Sequence, residues 1–270
     1  MRLLKLLITN CRWSFANILF LLAPGLTGCQ PTATARPTTI PTTLPTATIM
    51  PTVVSTPTSV CNTPDEPLRF LALGDSYTIG ESVAPNERWP NQLVTQLRSE
   101  GLAMQDAEIV ARTGWTTAEL AEGISADTPQ GPYNLVTLLI GVNNQYRGLS
   151  QDAYRDEFVT LLKTAVIFAD NDPARVIVLS IPDWGATPFA ARRDRDAIAA
   201  DIDAFNAINR AESAAAGVSY INITPISRRA LTDASLTAAD FLHPSGKMYA
   251  EWVQQIKPAA ISILAADCSH

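Results

Sequence analysis

The chain contains two histidines, and one of them, His270, is its last residue. A base held in place by a fold therefore has one candidate, His243, in the run Asp240-Phe241-Leu242-His243-Pro244-Ser245. An imidazole beside a carboxylate is suited to proton transfer, because the carboxylate fixes the ring tautomer and stabilises the charged form. Asp240 is the nearest such carboxylate. The same spacing also suits a helix start, with Asp240 as the cap and His243 on the surface. A serine hydroxyl becomes a useful nucleophile only when a base of this kind takes its proton. Ser76, in Gly74-Asp75-Ser76, follows an apolar run and a glycine that permits a tight turn, which suits a nucleophile. Taken alone, Gly-Asp-Ser is also an ordinary polar turn whose serine caps a helix.

Two further motifs follow other apolar runs: Arg112-Thr113-Gly114-Trp115 and Gly141-Val142-Asn143-Asn144. Gly114 can offer a bare backbone N–H, and Asn143 a side-chain NH2, to an oxyanion otherwise held by the N–H of Ser76. Singly, Gly114 reads as a turn and Asn143 as an Asx-type loop residue. Their conjunction with Ser76 and His243 favours the chemical reading.

Elements that could position these residues are visible in the hydrophobic pattern. Apolar runs at 68–73, 108–111, 135–140, 175–181 and 218–223 predict buried strands. Helical patterns lie at 90–100, closed by Gly101, at 116–122, opened by a T-x-x-E capping box, and at 150–169, 192–216 and 245–265. Alternating strand and helix predict a three-layer α/β/α domain built on a parallel sheet. In such sheets reactive residues gather in loops beyond the carboxyl ends of the strands, where Ser76, Gly114 and Asn143 all fall.

Gly-Asp-Ser near the start of this region, a glycine after the second strand, G-x-N after the third and D-x-x-H near the end resemble the blocks of the SGNH (GDSL-type) hydrolases. The resemblance runs from about residue 68 to about residue 265. It implies a flavodoxin-like five-stranded parallel sheet in the order 2-1-3-4-5 and an esterase or lipase activity. It also implies Ser76 as nucleophile with Asp240 and His243 as partners, and an oxyanion hole of Ser76, Gly114 and Asn143. Many members carry Asp after the asparagine of the third block; Asn144 stands there instead, which puts loop hydrogen bonding rather than chemistry in question. The implied two-step acyl transfer needs no metal and no organic cofactor, and no phosphate-loop, H-E-x-x-H or EF-hand pattern occurs. Two other functions share these residues: an envelope O-acyltransferase with a sugar as acceptor, and a catalytically silent surface binding module. Trp115 and Trp184 could stack on a sugar ring or an acyl chain, with core or lid packing the preferred reading. The run Arg192-Arg193-Asp194-Arg195-Asp196 could grip an anion, but a solvated helix start is the default.

Residues 1–28 place Arg2, Lys5 and Arg12 ahead of an apolar run too short to span a bilayer, the order of a secretory signal. Leu26-Thr27-Gly28-Cys29 resembles a bacterial lipobox, which implies cleavage before Cys29 and a diacylglyceryl group on its thiol. Residues 29–60 then form a lipidated Cys and a Pro/Thr-rich stalk that cannot bury a core. In polyproline II such a stalk reaches up to about 95 Å. Residues 61–270 suffice for one hydrolase domain. Of 20 basic and 26 acidic side chains, the first 60 residues hold four basic and no acidic ones, which leaves 16 against 26 in the domain. With that negative balance, a nucleic-acid partner is not expected. Cys61 and Cys268 bracket the domain in an exported compartment and are expected to pair as a disulfide. The picture is of an exported monomer, lipid-anchored to the outer face of the cell membrane, that acts on a small-molecule, carbohydrate or lipid ester. Intact-mass measurement of the exported protein, before and after reduction and alkylation, should show an acylated N-terminal Cys29 and alkylation of Cys61 and Cys268 only after reduction. An unmodified N-terminus or freely reactive thiols would contradict these expectations.

Overall fold

Strand β1 (Phe70–Asp75) is buried at every position. It pairs in parallel with β2 (Glu108–Arg112) on one side and β3 (Leu135–Leu139) on the other. Beyond β3 lie β4 (Val176–Leu179) and β5 (Ser219–Ile221), again parallel, so the order is 2-1-3-4-5. The three inner strands are apolar throughout apart from Gly74, Asp75 and Thr137, as expected of strands covered on both faces. This is a computed structural model, and it describes residues 66–267. Cys29, Cys61 and Cys268, and with them the expected lipidation and disulfide, lie outside the described residues.

Besides short 3-10 turns, the described residues form eight α-helices: α1 (Ser76–Ile79), α2 (Trp89–Ser99), α3 (Thr117–Asp127), α4 (Val142–Tyr146), α5 (Gln151–Phe168), α6 (Arg195–Ala215), α7 (Thr224–Arg228) and α8 (Gly246–Asp267). Helix α2 packs on α8, while α3 packs on α5 and α5 on α6, which gives the sheet a helical layer on each side.

All five expected strands form, with ends displaced by up to two residues. Register sets those ends: Leu68 makes only an isolated bridge to Met104, whereas Gly74 and Asp75 stay in the ladder opposite Ala111 and Arg112. The Thr116 capping box opens α3 as expected, with Thr116 N–H donating to Glu119 Oε2 at 2.8 Å. The helix then runs on to Asp127, through Gly123, whose hydrogen is the only substituent the Trp115 ring leaves room for: a Cβ would stand 2.1 Å from it. Helix α6 begins three residues later than its pattern, because Asp194 caps it by accepting the Ala197 N–H at 3.0 Å. The short helices α1, α4 and α7 are not foreseen, since four or five residues display no helical period.

The entry into α1 is a close approach. A Cβ on Gly74 would lie 2.1 Å from Thr78 Oγ1 and 2.6 Å from the Leu139 carbonyl, so only glycine lets the helix fold back on the strand end. Asp75 then caps α1, accepting the Tyr77 N–H on Oδ1 at 3.0 Å. Its side chain is fully buried, and Oδ2 has no hydrogen-bond partner among the described residues. Burial, partly offset by hydrogen bonds from the Tyr77 and Asp75 N–H groups, pushes this carboxyl up to about 7. An aspartate in an unfolded chain titrates near 4. Between about pH 4 and about pH 7 the folded state thus holds a proton that the unfolded state has released, and stability falls as pH rises through that window. Asp75→Asn, which keeps the cap acceptor, should flatten this slope. Denaturant unfolding of both proteins at about pH 5 and about pH 8 measures it, and equal slopes would show that Asp75 ionises without cost.

Candidate active site

Ser76 is the first residue of α1, directly at the carboxyl end of the central strand. At that position its backbone N–H has no acceptor four residues back in the helix. His243 arrives from a loop folded back on itself: the Ala238 N–H donates to His243 O at 2.7 Å, and the Ser245 N–H to Leu236 O at 2.9 Å. At the tip Phe241 takes the left-handed conformation (φ 62°), at a cost of about 1 kcal/mol for a residue with a side chain. The bend brings the Leu242 and His243 N–H groups onto Asp240 Oδ1 at 2.9 and 3.0 Å.

The other carboxylate oxygen faces the imidazole. Asp240 Oδ2 is 2.6 Å from His243 Nδ1, and His243 Nε2 is 3.0 Å from Ser76 Oγ. The helix-start reading of D-x-x-H does not hold, because His243 is buried and no helix begins before Gly246; Asp240 Oδ1 instead closes a turn, while Oδ2 meets the ring. Ser82 adds a hydrogen bond to Oδ2 at 2.7 Å. Nothing in the sequence marks Ser82 for that role, since it depends on the turn after α1. Partial burial opposes ionisation of Asp240, but hydrogen bonds from His243, the Leu242 N–H, Ser82 and the His243 N–H outweigh it and hold the carboxyl at about 2. The imidazole rests against buried Tyr77, ring centroids 5.3 Å apart, and Tyr77 stacks in turn on Trp252.

Asn143 lies on α4 rather than in the expected loop, because Gly141, at φ 125°, turns the chain straight from β3 into a helical turn. Its Nδ2 donates to the Trp115 carbonyl at 2.9 Å, which uses one of the two amide protons and leaves the other. Gly114 follows β2 with φ 85°. Its carbonyl is held by Arg147 Nη2 at 2.5 Å, and Arg147 pairs with Glu119 at 3.2 Å. Asn144 is buried and ties the third block to α3: Oδ1 accepts the Thr117 N–H at 3.1 Å, and Nδ2 donates to Thr117 Oγ1 at 2.7 Å. Thr117 Oγ1 in turn donates a hydrogen bond to Glu157. The loop bonding put in question by an asparagine at this position is thus complete.

A cavity of about 180 Å³ opens over Ser76 and His243, with Asn143, Tyr146, Trp184 and Phe189 among its walls. Gly114 is not one of the residues lining it. A larger groove, about 580 Å³, runs between α5 and α6; its lining is mainly apolar, with Lys163 and Glu212, and includes no serine, cysteine or histidine. The two tryptophans part company: Trp115 packs against Gly123, while Trp184 lines the cavity. The arginine run is not simply a solvated helix start either. Asp194 caps α6, and Arg195 donates to the carbonyls of Gly185 and Thr187, the latter at 3.0 Å.

Several crystal structures share this fold. TesA superposes with a TM-score of 0.57 at 19% identity, over 73% of this chain and 99% of its own. A lipase/acylhydrolase from Enterococcus faecalis gives 0.55 at 18%, over 72% and 96%. The psychrotrophic esterase EstA from Pseudoalteromonas sp. gives 0.52 at 18%, over 70% and 97%. No curated protein sequence matches the chain significantly. Residues 72–251 match the GDSL-like Lipase/Acylhydrolase family, a span that takes in Ser76, Gly114, Asn143, Asp240 and His243, and the chain belongs to that family.

Proposed function

We propose that the protein is a serine esterase that hydrolyses carboxylic esters through an acyl-enzyme on Ser76. The observation that carries this reading is the bridging position of His243, 3.0 Å from the Ser76 hydroxyl on one side and 2.6 Å from the Asp240 carboxylate on the other. In that arrangement Nε2 takes the hydroxyl proton as Oγ bonds to the ester carbonyl carbon. Nδ1–H remains on Asp240, which stays ionised because its carboxyl titrates at about 2. Collapse of the tetrahedral intermediate breaks the bond to the alcohol oxygen, which leaves with the proton from Nε2. Water then attacks the acyl-enzyme with its proton passing to Nε2, and Ser76 is released with the carboxylic acid.

The oxyanion needs donors that are fixed before the reaction. The N–H of Ser76 is available at the start of α1, and Asn143 keeps one amide proton after bonding to Trp115. We assign Gly114 N–H as the third donor, on a backbone whose carbonyl is clamped by Arg147. With the export signal and lipobox expected at the N-terminus, the proposed workplace is the outer face of the cell membrane.

Ser76→Ala and His243→Ala should each reduce turnover of an activated ester by about 10⁴-fold or more, with the double variant little worse than either single one, because the pair acts as a unit. Asn143→Ala keeps that pair and loses one donor, so kcat should fall by about 10² to 10³ with KM nearly unchanged. Steady-state kinetics with p-nitrophenyl acetate, together with covalent labelling by an organofluorophosphonate, checks both sets. Undiminished hydrolysis by Ser76→Ala would remove the esterase reading and leave a binding module or another nucleophile.

A further inference from the structure

The part of the cavity wall formed by Trp184 is held more firmly than a surface pocket requires. Trp184 is 5% exposed, and its indole Nε1 donates to Gln145 Oε1 at 2.8 Å. Its backbone lies in a turn braced from three sides. Asp183 accepts the Gly185 N–H at 2.9 Å and pairs with Arg228 at 2.9 Å. Thr187 Oγ1 donates to the Trp184 carbonyl at 2.7 Å. Arg195 reaches back from α6 to the Gly185 and Thr187 carbonyls. Tyr146 and Phe189 meet the indole edge-on, at 5.2 and 6.1 Å between ring centroids. Rotation of the indole breaks its buried hydrogen bond to Gln145, and movement of its turn breaks several more, each worth about 1 kcal/mol.

That space is small. Ligand pockets for drug-sized molecules measure about 300 to 1,000 Å³, and this one holds about 180 Å³. A cavity of about 150 Å³ accommodates a ring of six carbons; this pocket is open to solvent on one side, where Tyr146 and Phe189 are exposed, so its volume bounds only the group buried against Trp184. The orientation of the ester follows from the chemistry. The alcohol oxygen must face His243, which protonates it, and the carbonyl oxygen must face Asn143. The acyl chain takes the third direction from the carbonyl carbon, away from both groups, and of the lining residues not packed against His243, Trp184 is the large buried one that can stop it.

Resting on the esterase reading above, we propose that Trp184 is the specificity-determining residue of the site and that the substrates are esters of short acyl groups, up to about four carbons. Gln145 and Arg195 act as positioning residues that keep the indole where it ends the acyl channel.

The test is kcat/KM for p-nitrophenyl acetate, butyrate and octanoate, and for acetates of a small and a bulky alcohol, on the full-length protein. Wild type should lose about tenfold or more from butyrate to octanoate. Trp184→Ala should raise the octanoate-to-butyrate ratio by about tenfold or more and leave the ratio between the two acetates unmoved. Gln145→Leu, which frees the indole without emptying its place, should move the acyl ratio the same way by several-fold. Fluorophosphonate labelling of Ser76 reports whether each variant retains a formed site; if Trp184→Ala fails to label, Gln145→Leu decides. Equal rates on butyrate and octanoate in wild type would overturn the inference. So would an unchanged acyl ratio in a variant that labels normally, or a change in the alcohol ratio instead. With Ser76-dependent hydrolysis present, each of those results leaves the esterase reading standing; with no Ser76-dependent hydrolysis of any ester, both fall.

Discussion

The site depends on β1 being hydrogen-bonded on both sides. Because β2 and β3 are its immediate neighbours, the residues that follow these three strands, Ser76, Gly114 and Asn143, emerge side by side at one edge of the sheet. Adjacent strands lie about 4.8 Å apart, roughly the span over which a nucleophile and the donors for its oxyanion must cooperate. No long-range recognition between loops is needed to bring the three together. Pairing geometry does it, and the burial of every residue in β1 holds the pairing in register.

Histidine is the component that the sheet does not supply. It comes from a separate loop, and its position rests on local features: the left-handed Phe241, the hydrogen bonds across the loop, and the Tyr77–Trp252 stack beneath the ring. A second set of polar contacts stiffens the segments that carry Gly114 and Asn143, with Arg147 on the Gly114 carbonyl and Asn144 bridging through Thr117 to Glu157. These contacts do not involve Ser76 or His243 themselves, yet they fix the backbone beside them.

How much of this can be read from the sequence depends on the range of the forces involved. The strands and long helices are legible because they are written in local hydrophobic periodicity, and Ser76 and His243 stand out through motif and rarity. Asn143 and Gly114 are legible as motifs, but that Asn143 rides on a helical turn is not, because α4 is too short to show a period. Ser82 and Gln145 are invisible: each earns its role from a neighbour far along the chain, Asp240 and Trp184 respectively. Arg195 was legible only as a charge. That it braces two carbonyls depends on where the turn after β4 ends up.

The division of labour on Asp240 has a consequence for how such a site can be lost. One oxygen shapes the loop and the other orients the base, so a single codon carries both a folding instruction and a chemical one. A lineage that no longer needed the chemistry could replace this carboxylate without loosening the loop only by asparagine, which keeps the Oδ1 acceptor. Drift at position 240 is thereby narrowed by the architecture to side chains with this acceptor, and an acceptor retained there testifies to fold as much as to activity. Ser76 has no such second duty in its side chain, which makes its hydroxyl the more informative witness of continuing use.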